Sequence, residues 1–217
     1  MKDSNGGYLW CNRGIVLRAV VVILVLTLLA QIAVSAPSGI GISANEGCLC
    51  HGEKNPDTTV EILGLPESFE SNATYNFSIV IDSQVVTANS NGTIGGFRML
   101  VSGGSILFDE TGGLIQELDG GWTHTALGNS LRMWNFTLVS PEDNASYVDI
   151  TVYGNAVNGN QASTGDAWNS LSFRLPGMEY EGELPSEQED EFNPMDYTVG
   201  IVSMLALVGL LIITLRD

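Results

Sequence analysis

Residues 131–139 read Leu-Arg-Met-Trp-Asn-Phe-Thr-Leu-Val, and within them Trp134, Phe136 and Leu138 alternate with Asn135 and Thr137. A two-residue period sends alternate side chains to opposite faces of a strand, so this stretch predicts a half-buried strand with its aromatic face inward. Residues 75–82 repeat the pattern: Tyr75, Phe77, Ile79 and Ile81 share one face, and Asn76 lies on the other. Val148, Ile150 and Val152 alternate likewise with Tyr147, Asp149, Thr151 and Tyr153. Further strands are expected over Thr58–Leu63, Thr93–Val101, Ser105–Phe108 and Leu171–Leu175, each bounded by Gly, Asn, Asp or Pro. Short strands at this spacing, with no amphipathic helix among them, predict an all-β fold with one antiparallel β-sandwich over residues 57–176.

The same registers carry a functional reading. Five N-x-[ST] sequons begin at Asn72, Asn76, Asn91, Asn135 and Asn144. The two that fall inside strands, at Asn76 and Asn135, lie on the predicted solvent face, where a glycan has to be. The stretch Gly154–Asp166 (GNAVNGNQASTGD) is rich in Gly and Asn and is expected to be a shaped loop at one end of the sandwich.

Outside the body, both ends of the chain are apolar. Lys2, Arg13 and Arg18 precede the uncharged run Ala19–Ala30, and the small residues Ala33, Ser35 and Ala36 follow it. That order is a secretory signal, residues 1–36, cleaved after Ser35 or retained as a signal anchor. Tyr197–Leu215 is uncharged and long enough for a transmembrane helix, and Arg216 in the tail 216–217 marks the cytoplasmic side. Either fate of the signal leaves residues 37–196 outside the cell, on a membrane-anchored chain.

Charge narrows the partners. The 217 residues include 25 acidic against 8 basic ones, a net charge of −17, which repels polyphosphate and excludes nucleic-acid binding. Eight acids and no base fall between Glu179 and Asp196, so residues 177–196 are expected to form an extended stalk. An extracellular protein or glycan is the partner class left for the domain.

Soft-ligand chemistry is concentrated in the lead, residues 37–56. Cys48, Cys50 and His51 lie within Gly47-Cys48-Leu49-Cys50-His51-Gly52, and the chain's other histidine is His124. Three readings of that cluster stand side by side. The first is a covalent c-type haem on Cys48 and Cys50, with His51 and His124 as axial ligands; its usual motif, C-x-x-C-H, has one residue more. The second is a soft metal ion on the cysteines with His51 and His124. The third is a local Cys48–Cys50 disulfide. No nucleophile elbow, phosphate loop or dinucleotide fingerprint is present, so catalysis is not expected.

Four motifs in order resemble the choice-of-anchor V domain family. They are Cys48-Leu49-Cys50-His51-Gly52, His124-Thr125, Trp134 to Pro141, and Gly154-Asn155-Ala156-Val157-Asn158-Gly159-Asn160 with Thr164-Gly165-Asp166. This chain has C-x-C-H where the family has C-x-x-C-H. The resemblance implies an immunoglobulin- or reeler-like β-sandwich displayed at the cell surface, followed by an anchor. The sequence therefore points to a cell-surface binding or adhesion module, with a haem or metal module as the alternative.

Overall fold

The computed structural model describes residues 36–88, 92–185 and 194–216, and residues 33–186 form one compact unit. Nine strands build two antiparallel sheets. They are β1 (Thr58–Leu63), β2 (Thr74–Ser83), β3 (Gly95–Val101), β4 (Ser105–Leu107), β5 (Ile115–Leu118), β6 (Gly121–His124), β7 (Met133–Val139), β8 (Tyr147–Ala156) and β9 (Ala167–Pro176). One sheet runs β1-β2-β7-β4 and the other β5-β6-β3-β8-β9.

The period-2 strands meet as their alternation requires. Ile79 stands opposite Trp134 in the β2–β7 ladder, and Phe77 opposite Phe136, their ring centroids 5.3 Å apart. Across the sandwich, Phe97 of β3 lies 4.6 Å from Trp134 between ring centroids. Ile79, Leu138, Met99, Val148, Ile150 and Val152 are fully buried, while Asn76 and Asn135 are exposed. Removing this apolar surface from water is the main stabilising contribution of the domain.

Three expectations need correction. First, β5 and β6 were not among the expected strands. They form a hairpin whose turn residues Asp119 (φ 49) and Gly120 (φ 69) both adopt left-handed backbone, as a two-residue Asp-Gly turn requires. Second, Gly154, Asn155 and Ala156 are not loop. They extend β8, pairing with Phe97, Gly96 and Gly95 on one side and with Asn169, Trp168 and Ala167 on the other. Third, the expected stalk begins later than residue 177. Gly177 N–H donates to Ser146 O (2.8 Å), Met178 N–H to Phe69 O (2.9 Å) and Glu179 N–H to Asn144 O (3.0 Å). Arg174 Nη1 then donates to Pro185 O (2.6 Å). Acidic side chains can face water while their backbone is pinned to the domain, so like charge alone did not keep residues 177–185 free.

The lead lies over the outer face of the five-stranded sheet. Ile40 N–H donates to Thr123 Oγ1 (3.2 Å) and Ile42 N–H to Asp119 Oδ2 (3.2 Å), while Asn129 Nδ2 donates to Pro37 O (2.9 Å). Beneath the lead, Arg98 of β3 is fully buried. Its guanidinium donates to Asn45 Oδ1 (2.9 Å), Leu118 O (2.6 Å) and Asp119 O (3.0 Å). Those bonds offset the cost of burying a charge. The lead thus covers the outer face of the second sheet at β3 and the β5–β6 hairpin, while outward residues of β8 such as Asp149 and Thr151 stay partly exposed.

The rest of the described chain is helix α1 (Pro194–Arg216), 23 residues. Val199, Ile201, Val202 and Met204 point in different directions around it, and all are exposed. Among the described residues no helix is long and apolar enough to cross a membrane; the side chains of 210–216, part of the expected span 197–215, lie outside that set. The expected signal, residues 1–35, the sequon at Asn91 and residues 186–193 of the expected stalk also lie outside the described residues.

Candidate functional site

The cysteine–histidine motif forms one turn of 3-10 helix, Leu49–His51, with Cys48 as its N-cap. His51 N–H donates to Cys48 O (2.8 Å), which closes the turn. Trp168 of β9, almost fully buried, clamps it at both ends. Its indole N–H donates to Gly52 O (2.8 Å), and its ring lies 2.6 Å from where a Cβ on Gly47 would be. Gly47 also has φ 120, so both its backbone and its contact require glycine.

This turn, the start of the lead and the β3–β8 end of the sheet enclose a cavity of about 110 Å³. Cys48, Cys50, His51 and His124 all line it, together with Asn155 and Asp166. The fold therefore brings the two histidines, far apart in sequence, to one pocket. Their surroundings differ sharply.

His51 Nδ1 lies 2.9 Å from Asp166 Oδ2, and the Asp166 side chain is 1 % exposed. Asp166 Oδ1 accepts the Asn158 N–H (2.9 Å), while neither Asp166 Oδ2 nor His51 Nδ1 makes a hydrogen bond. The contact is an ion-pair approach of the ring to a buried carboxylate. The loop behind Asp166 is braced by its own amides: Asn158 Nδ2 and Asn160 Nδ2 both donate to Thr164 O (2.9 and 2.8 Å).

His124 is buried, and its ring is engaged by the sheet. Phe97 N–H donates to Nδ1 (3.1 Å), and the ring lies directly against Gly96, where a Cβ would come 2.8 Å from Cε1. Burial holds its pKa below the ordinary histidine value, against the opposite pull of the Phe97 and Ala36 backbone. The two cysteines are free thiols, so the disulfide reading does not describe this structure. Cys48 faces inward, and burial, with a smaller effect of Cys50, pushes its thiol up to about 12; Cys50 is exposed.

A haem fits these residues poorly. The cavity is smaller than the roughly 300–1,000 Å³ of ordinary small-molecule pockets, and the His124 ring is packed directly against Gly96. A metal finds better donors in Cys48, Cys50 and His51, although no three His, Cys, Asp or Glu side chains among the described residues are already arranged as a metal cluster. Asp166, Trp168 and Asn155 were not among the expected site residues. Asp166 and Asn155 stood in the Gly/Asn-rich stretch, but nothing in its spacing tied them to residue 51.

Of the sequons, Asn72, Asn76 and Asn135 are exposed, and Asn144 is half-buried. Asn76 Oδ1 accepts from Thr137 Oγ1 (2.8 Å) and Asn135 Oδ1 from Ser78 Oγ (2.7 Å), so each strand sequon is held by a hydroxyl of the facing strand.

No family profile and no curated protein matches the chain. Solved structures similar to it include the human F-spondin reeler domain, at 11 % identity over 58 % of this chain and 96 % of that one (TM-score 0.38). A conjugate transposon protein of Bacteroides vulgatus is similar at 12 % identity over 62 % and 95 % (TM-score 0.38). AggA, the major subunit of an Escherichia coli aggregative adherence fimbria, is similar at 13 % identity over 57 % and 95 % (TM-score 0.34).

Proposed function

We propose that the chain is a membrane-tethered, glycosylated β-sandwich of choice-of-anchor V character that works outside the cell as a binding module rather than an enzyme. The observation that carries the binding function is the pocket itself, where Cys48, Cys50, His51 and His124 meet under a lead folded over the sheet. The tether rests on the uncharged stretch Tyr197–Leu215 within a helix that is apolar on every described side. Exposed Asn72, Asn76 and Asn135 support the extracellular side, and the protein or glycan partner would meet that acidic, glycan-bearing surface.

The test uses intact cells producing the full chain with an epitope after Asp217. External protease is expected to release the sandwich and leave the epitope in the membrane. An epitope and domain both protected until lysis would overturn the topology.

The other reading, a surface monohaem electron-transfer module, has two thiols and an imidazole at this pocket but not the room of an ordinary cofactor site. It predicts a Soret band on the purified protein and a mass increase that survives denaturation. Absence of both removes it.

A further inference from the structure

We propose that the Cys48–His51 turn binds one thiophilic d10 cation, Zn(II) or Cu(I), through Cys48, Cys50 and Nε2 of His51, with Asp166 as the residue that positions the imidazole. The inference deepens the binding-module reading and rests on this pocket being its ligand site. Two thiols and one imidazole are the donors that soft and borderline cations select. All three lie within the four residues Cys48–His51, although Cys48 is turned inward and Cys50 is exposed, so the metal has to draw them together. Binding releases the thiol protons to solvent.

Asp166 supplies the part that sequence spacing could not. Histidines that ligate metals usually present their second ring nitrogen to a carboxylate or carbonyl, which sets tautomer and ring plane. His51 Nδ1 lies 2.9 Å from the buried Asp166 Oδ2, and neither atom has a hydrogen bond, so the carboxylate stands where that partner would be. The ring of His124 faces backbone instead: its Nδ1 lies 3.1 Å from Phe97 N and 3.3 Å from Phe97 O, with no side-chain carboxylate beside it. The pair of histidine ligands expected from sequence, His51 with His124, is therefore replaced by His51 with Asp166 behind it. A second polar group is waiting in the same pocket. Asn155 is 5 % exposed, lines the cavity and has no partner for Oδ1. Three protein donors leave tetrahedral Zn(II) one open position, and a water there would donate to that oxygen; the same three donors complete a trigonal shell for Cu(I).

The full chain in detergent, kept reduced and anaerobic, is titrated separately with Zn(II) and Cu(I) against a chromophoric competitor. One equivalent of at least one ion is expected to bind. Asp166→Asn should weaken binding about 10–100-fold, His51→Ala at least as much, and Asp166→Glu should recover part of the loss. Ring NMR signals of the unaltered protein give a readout independent of any variant's folding: His51 is expected to shift on metal addition and His124 to stay. Binding of neither ion overturns the inference and leaves the surface-module reading to the protease experiment. Equal affinity of Asp166→Asn and the unaltered chain, or a shift of His124 in place of His51, overturns the assignment of roles.

Discussion

Gly96→Ala places one methyl group where the fold has no room for it. The added Cβ would lie 2.8 Å from Cε1 of His124 and 3.2 Å from both ring nitrogens. The ring cannot simply step aside, because Phe97 N–H is bonded to its Nδ1 at 3.1 Å within a buried sheet. Overpacking of a core site costs about 1–3 kcal/mol. Loss of the displaced hydrogen bond adds about 0.5–1.5 kcal/mol. Against this, alanine restricts the unfolded chain and returns about 0.4–1 kcal/mol, since Gly96 does not use positive φ. The net expectation is destabilisation by about 0.5–4 kcal/mol, read as a fall in the urea midpoint of the full chain by tryptophan fluorescence. Gly92→Ala is the control: nothing lies within 4 Å of its added Cβ, and it should change stability by about 0.5 kcal/mol or less. In a His124→Ala background the obstructing ring is gone, and the same glycine change should then cost less than about 1 kcal/mol. A neutral Gly96→Ala, or an equal cost in both backgrounds, refutes the claim that the imidazole is wedged on the strand.

Three further outcomes follow from the same packing. Trp134→Ala should cost about 3–5 kcal/mol, because the side chain is 2 % exposed against Phe97, and it also removes the indole N–H bond to Gly128 O (3.1 Å). Denaturant titration checks this, and a loss below about 1.5 kcal/mol would contradict the core assignment. Cys48 has a folded pKa of about 12, above its unfolded value, so its contribution is complete below about pH 8.5. That contribution is lost as pH rises toward 12, and Cys48→Ala should flatten the alkaline limb of a stability–pH curve. His124 has the opposite sign: burial lowers its folded pKa, so its contribution is present above about pH 6.5 and is lost as pH falls below that value, a slope that His124→Gln should remove.

The two histidines also show how a pocket sorts chemically identical side chains. His124 stands at a strand end and is drawn into the backbone bonding of its neighbour, because a buried N–H at Phe97 needs an acceptor. His51 stands on a turn at the edge of the cavity, where the partner of its ring is the Asp166 side chain. The pocket therefore holds one imidazole set against the backbone of β3 and one set against a side-chain carboxylate.

By itself the sequence determined the period-2 strands and their facing. Trp134, Phe136, Leu138, Ile79 and Ile150 are buried, and Asn76 and Asn135 are exposed, because alternation is a local property of an extended chain. Asp119-Gly120 is a turn dipeptide, yet the four-residue strands on either side are too short to show a period. Gly154–Ala156 read as loop because Gly and Asn disfavour isolated strands; ladders to Gly95–Phe97 on one side and Ala167–Asn169 on the other overrode that preference. Arg98 alternated as an outward residue, and only the lead laid across the sheet turned outward into buried. The pairing of His51 with Asp166 was decided by tertiary structure alone. Trp168 anchors the turn to β9, the extended β8–β9 hairpin carries Asp166 to the same end, and no spacing along the chain encodes a meeting between segments brought together by two separate sets of contacts.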